Sequence, residues 1–84
     1  MDLIDEHLAR AKEIIGDRTP GEERYDREIV RWIMKGKDIK KAIAKANEKY
    51  PAEALAPTEA MYDGLRSRYE YMAEHERIVR RLSQ

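Results

Sequence analysis

Apolar residues recur at intervals of three and four along most of the chain, and this spacing predicts amphipathic α-helices that share one core. Four stretches show the pattern, and we predict helices over residues 2–15, 20–35, 38–49 and 58–82. At 1.5 Å per residue the last of them is about 37 Å long, more than one short neighbour can cover. The pattern therefore predicts an all-α fold, a small four-helix bundle-like domain with a long last helix, spanning residues 1–84 as one domain.

Residue types at the ends of these stretches agree with the predicted boundaries. Residues 19–22 read Thr-Pro-Gly-Glu, a capping box with proline at the first helical position, and this predicts the start of the second helix. Asp38 is a good N-cap for the third helix. Gly16 and Gly36 are suited to the left-handed conformation that ends a helix.

The segment between the third and fourth predicted helices is less regular. Residues 51–57 read Pro-Ala-Glu-Ala-Leu-Ala-Pro, which fits either a loop or one helical turn. We expect Leu55 to fill the core from this segment. Gly64 lies inside the last apolar stripe and marks either a close helix crossing or a bend.

Composition narrows the possible functions. The chain has 84 residues, with 17 Lys and Arg against 17 Asp and Glu, so no overall field draws it to nucleic acid or anionic lipid. The lack of cysteine excludes disulfides and thiolate chemistry, and we expect a cytoplasmic protein. Apolar runs do not exceed three residues, far short of the roughly 20 that span a bilayer. The acidic start lacks the order of a signal peptide, so we expect neither export nor membrane insertion.

Positive charge is concentrated in residues 31–49, which hold seven Lys or Arg and two Asp or Glu. Spacing by four places most of these lysines on one side of the third helix, opposite its apolar face. We call this set the lysine ridge; it comprises Lys37, Lys41, Lys45 and Lys49, with Lys40 beside them. A tight turn followed by a basic helix resembles a helix-turn-helix, in which the second helix enters the major groove. Asn47 is the only amide in this helix, so base reading is poorly supported, and such a ridge is most often a solvated face.

The last predicted helix offers a second candidate surface. Its apolar stripe approximates a heptad seam, interrupted by Arg68 and His75, and could pair with a copy of itself or with another protein's helix. The residues that we predict for this contact are Met61, Leu65, Tyr69 and Met72. The alternative is that the helix packs within its own chain, with the first two helices stacked end to end along it.

Patterns that carry catalysis or bind metals are not evident. The chain has neither a nucleophile elbow nor a glycine-rich phosphate loop. His7 and His75 could join Glu74 or Glu76 around a metal, but two histidines in different helices are more often surface or packing residues. We therefore expect a protein that has no enzymatic activity and binds no metal, cofactor or small-molecule substrate. The sequence favours a small protein-interaction or regulatory module, predicted to be a homodimer, with DNA or RNA binding by the lysine ridge as the alternative.

Overall fold

A computed structural model describes residues 3–83, which form four α-helices and two short 3₁₀ turns, with no strand among them. The predicted all-helical, bundle-like architecture with a long last helix is confirmed. The helices are α1 (Leu3–Ile15), α2 (Pro20–Met34), α3 (Ile39–Lys49) and α4 (Tyr62–Leu82), and the 3₁₀ turns are Pro51–Glu53 and Glu59–Met61. None of these helices has the length and apolarity of a membrane span.

The predicted N-caps of α2 and α3 are present. The Thr19 hydroxyl accepts the backbone N–H of Glu22 at 3.2 Å, and the Glu22 carboxylate accepts the backbone N–H of Thr19 at 3.2 Å, completing the capping box. The Asp38 carboxylate accepts the backbone N–H of Lys41 at 2.9 Å. These bonds satisfy N–H groups that the first turn of a helix leaves without a partner.

The structure corrects two predicted details, and a third concerns a residue outside the described range. Helix α4 begins at Tyr62 and not at Thr58, because a 3₁₀ turn precedes it and the Thr58 side chain makes no capping bond. The predicted start of α1 at Asp2 lies outside the described residues. Residues 51–57 contain one short 3₁₀ turn, and the prediction that Leu55 fills the core is wrong, since its side chain is 37% exposed.

The backbone of Leu55, and not its side chain, holds this segment to the helices. Its N–H lies 3.0 Å from the Asn47 carboxamide oxygen and 3.3 Å from the Tyr25 hydroxyl, and its carbonyl accepts from the Asn47 amide nitrogen at 2.8 Å. The Tyr25 hydroxyl also donates to Asn47 at 2.6 Å. Asn47 therefore works as a structural bridge between α2, α3 and the following segment.

The core forms where α2, α3 and α4 meet. Helices α2 and α3 run antiparallel, because Tyr25 contacts Asn47 while Trp32, later in α2, lies beside Lys45, earlier in α3. Small alanines on α3 and α4 allow close approach, and each fully buried isoleucine contributes about 1.5–3 kcal/mol. The buried residues of this core are Tyr25, Ile29, Val30, Ile39, Ala42, Ile43, Ala46, Tyr69 and Ala73.

Helix α1 lies apart from this core and, among the described helices, packs only on α4. The guanidinium of Arg68 donates to the carbonyls of Ile14 at 2.9 Å and Ile15 at 3.2 Å, which are free at the end of α1. The Tyr71 hydroxyl donates to the carbonyl of His7 at 3.2 Å. Since the later α4 residue meets the earlier α1 residue, the two helices are antiparallel.

Candidate interaction surfaces

The four residues predicted for a contact along α4 do not form one exposed surface. Tyr69 is 2% exposed and belongs to the core of its own chain, so its side chain is not available to a second molecule. Leu65 and Met72 are half-buried against that core, while Met61 is 53% exposed at the start of the helix. We call the face of α4 that carries Leu65 and Met72 the apolar strip; much of it is covered by the chain itself.

A buried carboxylate fixes Tyr69 in place. Asp26 is 2% exposed and accepts from the Tyr69 hydroxyl at 2.7 Å and from the Arg18 guanidinium at 2.9 and 3.1 Å. Burial, with the hydrogen bond to Asp26 and its charge acting in the same direction, raises the pKa of the Tyr69 phenol well above its ordinary value. The signal of this site in the sequence is weak: the helical period places Asp26 on the same side of α2 as Val30, four residues later.

The connection between α1 and α2 crosses the apolar strip of α4. Arg68, which lies between Leu65 and Met72 in sequence, holds the end of α1, and Arg18 reaches across to Asp26 in α2. Arg18 borders two separate clefts, one of about 580 Å³ over Met72 and one of about 420 Å³ over Leu65. A second α4 could lie along the whole strip only if this connection moved.

We name the larger of the two the α1/α2 cleft. It exists because α1 and α2 both pack on α4 but not on each other. The apolar part of its lining comes from all three helices and consists of Ile15, Val30, Met34 and Met72. Charged and polar residues complete it, namely Arg18, Glu23, Asp26, Arg27, Arg31, His75, Glu76 and Arg80, with Gly16 at the end of α1.

Some of the positively charged residues around the cleft are paired with carboxylates of the chain, and others are not. Arg18 is held by Asp26, and the Arg80 guanidinium donates to Glu76 at 3.0 Å, so these two cations are already paired. Arg31 approaches a carboxylate only at 3.8 Å, that of Glu28. Arg27 is exposed and makes no ion pair within the described residues. The unpaired charge on the rim is therefore mainly positive and lies on α2.

Three aromatic rings join α1 to α4, and one of them, that of His75, also lines the α1/α2 cleft. The His7 ring stacks on Tyr71 at a centroid distance of 4.7 Å and on His75 at 5.6 Å. His7 Nε2 and His75 Nδ1 are buried, and residues 3–83 provide no hydrogen-bond partner for either. Burial, assisted by the neighbouring His7, lowers the pKa of His75. No set of three or more metal-ligating side chains converges anywhere in residues 3–83.

All five residues of the lysine ridge are exposed, but they differ in their partners. Lys40 pairs with Glu59 at 2.9 Å, which raises its pKa, and Lys49 pairs with Glu28 at 3.3 Å. Lys45 lies over the Trp32 ring, 5.4 Å from its centroid, and Lys35, the residue after α2, approaches the same ring at 4.8 Å. Within the described part of the chain, Lys37 and Lys41 are left without an ion pair.

The helix-turn-helix interpretation gains little from these positions. Asn47, the only amide of α3, is engaged with Tyr25 and Leu55 and does not face outward as a base reader would. The N-terminus of α3, which would approach a base or a phosphate, carries the capping carboxylate of Asp38. What the ridge offers is positive charge toward phosphates and not sequence reading.

Comparison of the chain with protein-family models, with curated proteins and with solved structures found no match. Evidence for the function of this chain therefore comes from the geometry of its own surfaces.

Proposed function

We propose that the chain is a non-enzymatic, cytoplasmic protein-interaction module and that its partner binds in the α1/α2 cleft. The observation that supports this most directly is the gap between α1 and α2, which opens onto the face of α4 that carries Met72, His75 and Arg80. A cleft of about 580 Å³ lies within the range of roughly 300–1,000 Å³ that is usual for binding sites.

The side chains that line the gap suit a protein partner. Met34 and Met72 are half-buried and flexible, and methionine is favoured at surfaces that adapt to another chain. The α2 wall and the α4 floor are helices, so the cleft has the form of a groove that receives a helix. The predicted homodimer is the case in which that helix belongs to a second copy.

Site-specific photo-crosslinking in the protein's own cells tests this function. A benzoylphenylalanine is placed either at Val79, which is 37% exposed two helical turns beyond Met72, or at Ser67, which is exposed on the far side of α4. We expect one adduct of defined mass from Val79 and none from Ser67. The Val79 adduct is expected to disappear when Met34→Glu is added, provided that circular dichroism shows the variant folded.

The mass of the adduct also identifies the partner. Twice the mass of the chain means a homodimer, which sedimentation velocity of the pure protein would show as well. Any other mass means a different protein. Equal labelling from Val79 and Ser67, or no adduct from Val79, contradicts the proposed function.

The lysine ridge supports a second candidate function, binding to the phosphates of a nucleic acid. Lys37, Lys41 and Lys45 lie exposed along one side of α3, and affinity from such contacts falls steeply with salt. Titration with labelled random duplex DNA should show binding that Lys41→Glu with Lys45→Glu removes. Lys12→Glu, at an exposed position of α1, is the matched control. The absence of binding at low salt rules this candidate out.

A further inference from the structure

Two arginines on the rim of the α1/α2 cleft have no strong partner in the described part of the chain. Arg27 makes no ion pair there, and the nearest carboxylate oxygen to Arg31 is 3.8 Å away on Glu28. They are four residues apart on α2, so their guanidinium groups extend from the same side of the helix one turn apart. Both are exposed at the edge of the apolar lining.

The length of the cleft fits a helix of about three turns. Its α2 wall extends from Glu23 to Met34, which corresponds to about 16 Å at 1.5 Å per residue. A helix bound in a groove places side chains spaced by three or four and by seven residues on its floor. Met34 and Met72, which are both half-buried, provide apolar contacts for such a series.

We propose that the occupant of the cleft is an amphipathic helix of another protein that carries Asp or Glu beside its apolar face. This inference rests on the proposed function and adds the chemistry of the partner. Carboxylates on the flank of the bound helix would pair with Arg27 and Arg31, whose planar guanidinium groups can each donate two parallel hydrogen bonds. A helix flanked by lysines would bring like charges together at the same positions.

The arrangement of charge also places the partner's carboxylates toward one end of the cleft. Glu23 is the lining carboxylate for which the described residues provide no ion pair, and it lies at the N-terminal end of the α2 wall. Acidic side chains of the partner are repelled there and attracted toward Arg27 and Arg31. The partner's carboxylates are therefore expected on the part of its helix that lies near Met34.

Two synthetic helical peptides test the proposal with the full-length chain. Both carry leucines at the groove-facing positions, and they differ only in having glutamate or lysine on the flanks. Nuclear magnetic resonance of the isotope-labelled protein should show that the acidic peptide shifts the amide signals of Val30, Met34 and Met72, while the basic peptide does not. Salt should weaken this binding without abolishing it, because the apolar contacts remain.

Matched variants separate the arginines from general charge. Replacing Arg27 and Arg31 by glutamine should weaken binding of the acidic peptide about tenfold, as expected for two rim contacts. In the control variant, glutamine replaces Arg24 and Arg66, which are exposed but do not line the cleft. This variant should bind the acidic peptide with unchanged affinity. Melting curves of both variants establish that they are folded.

Three results would overturn the proposal: equal binding of the basic peptide, shifts that map to the lysine ridge, or no binding of the acidic peptide. The crosslinking experiment then shows whether only the acidic chemistry of the partner is wrong or the interaction function as well. An adduct from Val79 together with a negative peptide result means that the cleft binds a partner of different chemistry. A negative result in both experiments removes the interaction function as well.

Discussion

The hydroxyl of Tyr69 donates a 2.7 Å hydrogen bond to the buried carboxylate of Asp26, which joins α4 to α2 across 43 residues of sequence. Arg18 completes this site by binding the same carboxylate from the α1–α2 connection. A buried ion pair gives little net stability, but removing its carboxylate leaves the buried Tyr69 hydroxyl without an acceptor and Arg18 with Glu22 alone.

Replacing Asp26 should therefore cost far more than replacing Tyr69. We expect Asp26→Ala to lower the free energy of unfolding by about 3–5 kcal/mol, because the buried Tyr69 hydroxyl loses its acceptor and Arg18 keeps only its ion pair with Glu22. Tyr69→Phe should cost about 1–2 kcal/mol, since Arg18 still satisfies the carboxylate. Urea unfolding followed by circular dichroism measures both. Similar losses for the two variants would contradict the central role of Asp26.

The capping box of α2 gives a second prediction. Thr19→Ala removes the hydroxyl that accepts the N–H of Glu22 and should destabilise the protein by about 1 kcal/mol. Thr58→Ala is the control, because Thr58 precedes a helical segment but makes no capping bond and should change stability very little. Thermal unfolding measures the stability of the two variants. Equal stability of both would mean that the Thr19 hydroxyl does not stabilise α2.

Arg68 is predicted to be the main polar attachment of α1. Arg68→Ala removes the donors to the carbonyls of Ile14 and Ile15, and we expect faster hydrogen exchange throughout α1 with little change in α2 and α3. Arg66→Ala, which breaks only an exposed pair with Asp63, should leave exchange in α1 unchanged. Uniform loss of protection in all helices of the Arg68 variant would argue against a local attachment.

The attachment of α1 should also weaken in acid. The pKa of His75 is lowered by burial, with the neighbouring His7 acting in the same direction and Glu76 opposing. The unfolded chain therefore binds a proton at higher pH than the folded chain does. The stability that neutral His75 contributes is complete above the ordinary pKa of about 6.5 and is lost as the pH falls through the folded value.

Hydrogen exchange in α1 measured at about pH 7.5 and pH 5, after correction for intrinsic rates, tests this prediction. Protection should fall more in the native chain than in His75→Phe, which keeps a ring in the stack but cannot bind a proton. Identical pH dependence in the two proteins would exclude His75 as the source.

Local features of the fold could be predicted from the sequence because they depend on neighbouring residues. The capping box at Thr19 and the cap at Asp38 each need only a few adjacent positions, and the apolar spacing of α3 placed Ile39 and Ile43 in the core. Leu55 was misplaced because an apolar side chain in a loop has no periodicity to fix its direction. The hydrogen bonds of its backbone to Asn47 hold the segment in place and leave the side chain exposed.

The candidate site could not be predicted in the same way, because it depends on how separate helices pack. Nothing in the spacing of Met61, Leu65, Met72 and Val79 showed that Arg18 and its neighbours would cross the apolar strip of α4. The gap between α1 and α2 is likewise a property of three helices together. The contact between Asp26 and Tyr69 joins positions too distant in sequence for a local pattern to connect them.

The exclusive contact of α1 with α4 has a consequence for how the chain folds. Arg68 meets Ile14 at a separation of 54 residues, so α1 gains its contacts only after a long loop has closed. The α2–α3 hairpin has short-range contacts and can form first. During synthesis, α1 leaves the ribosome before α4, the described helix on which it packs. Although α1 is made before the other three described helices, it is therefore expected to be the last of them to dock.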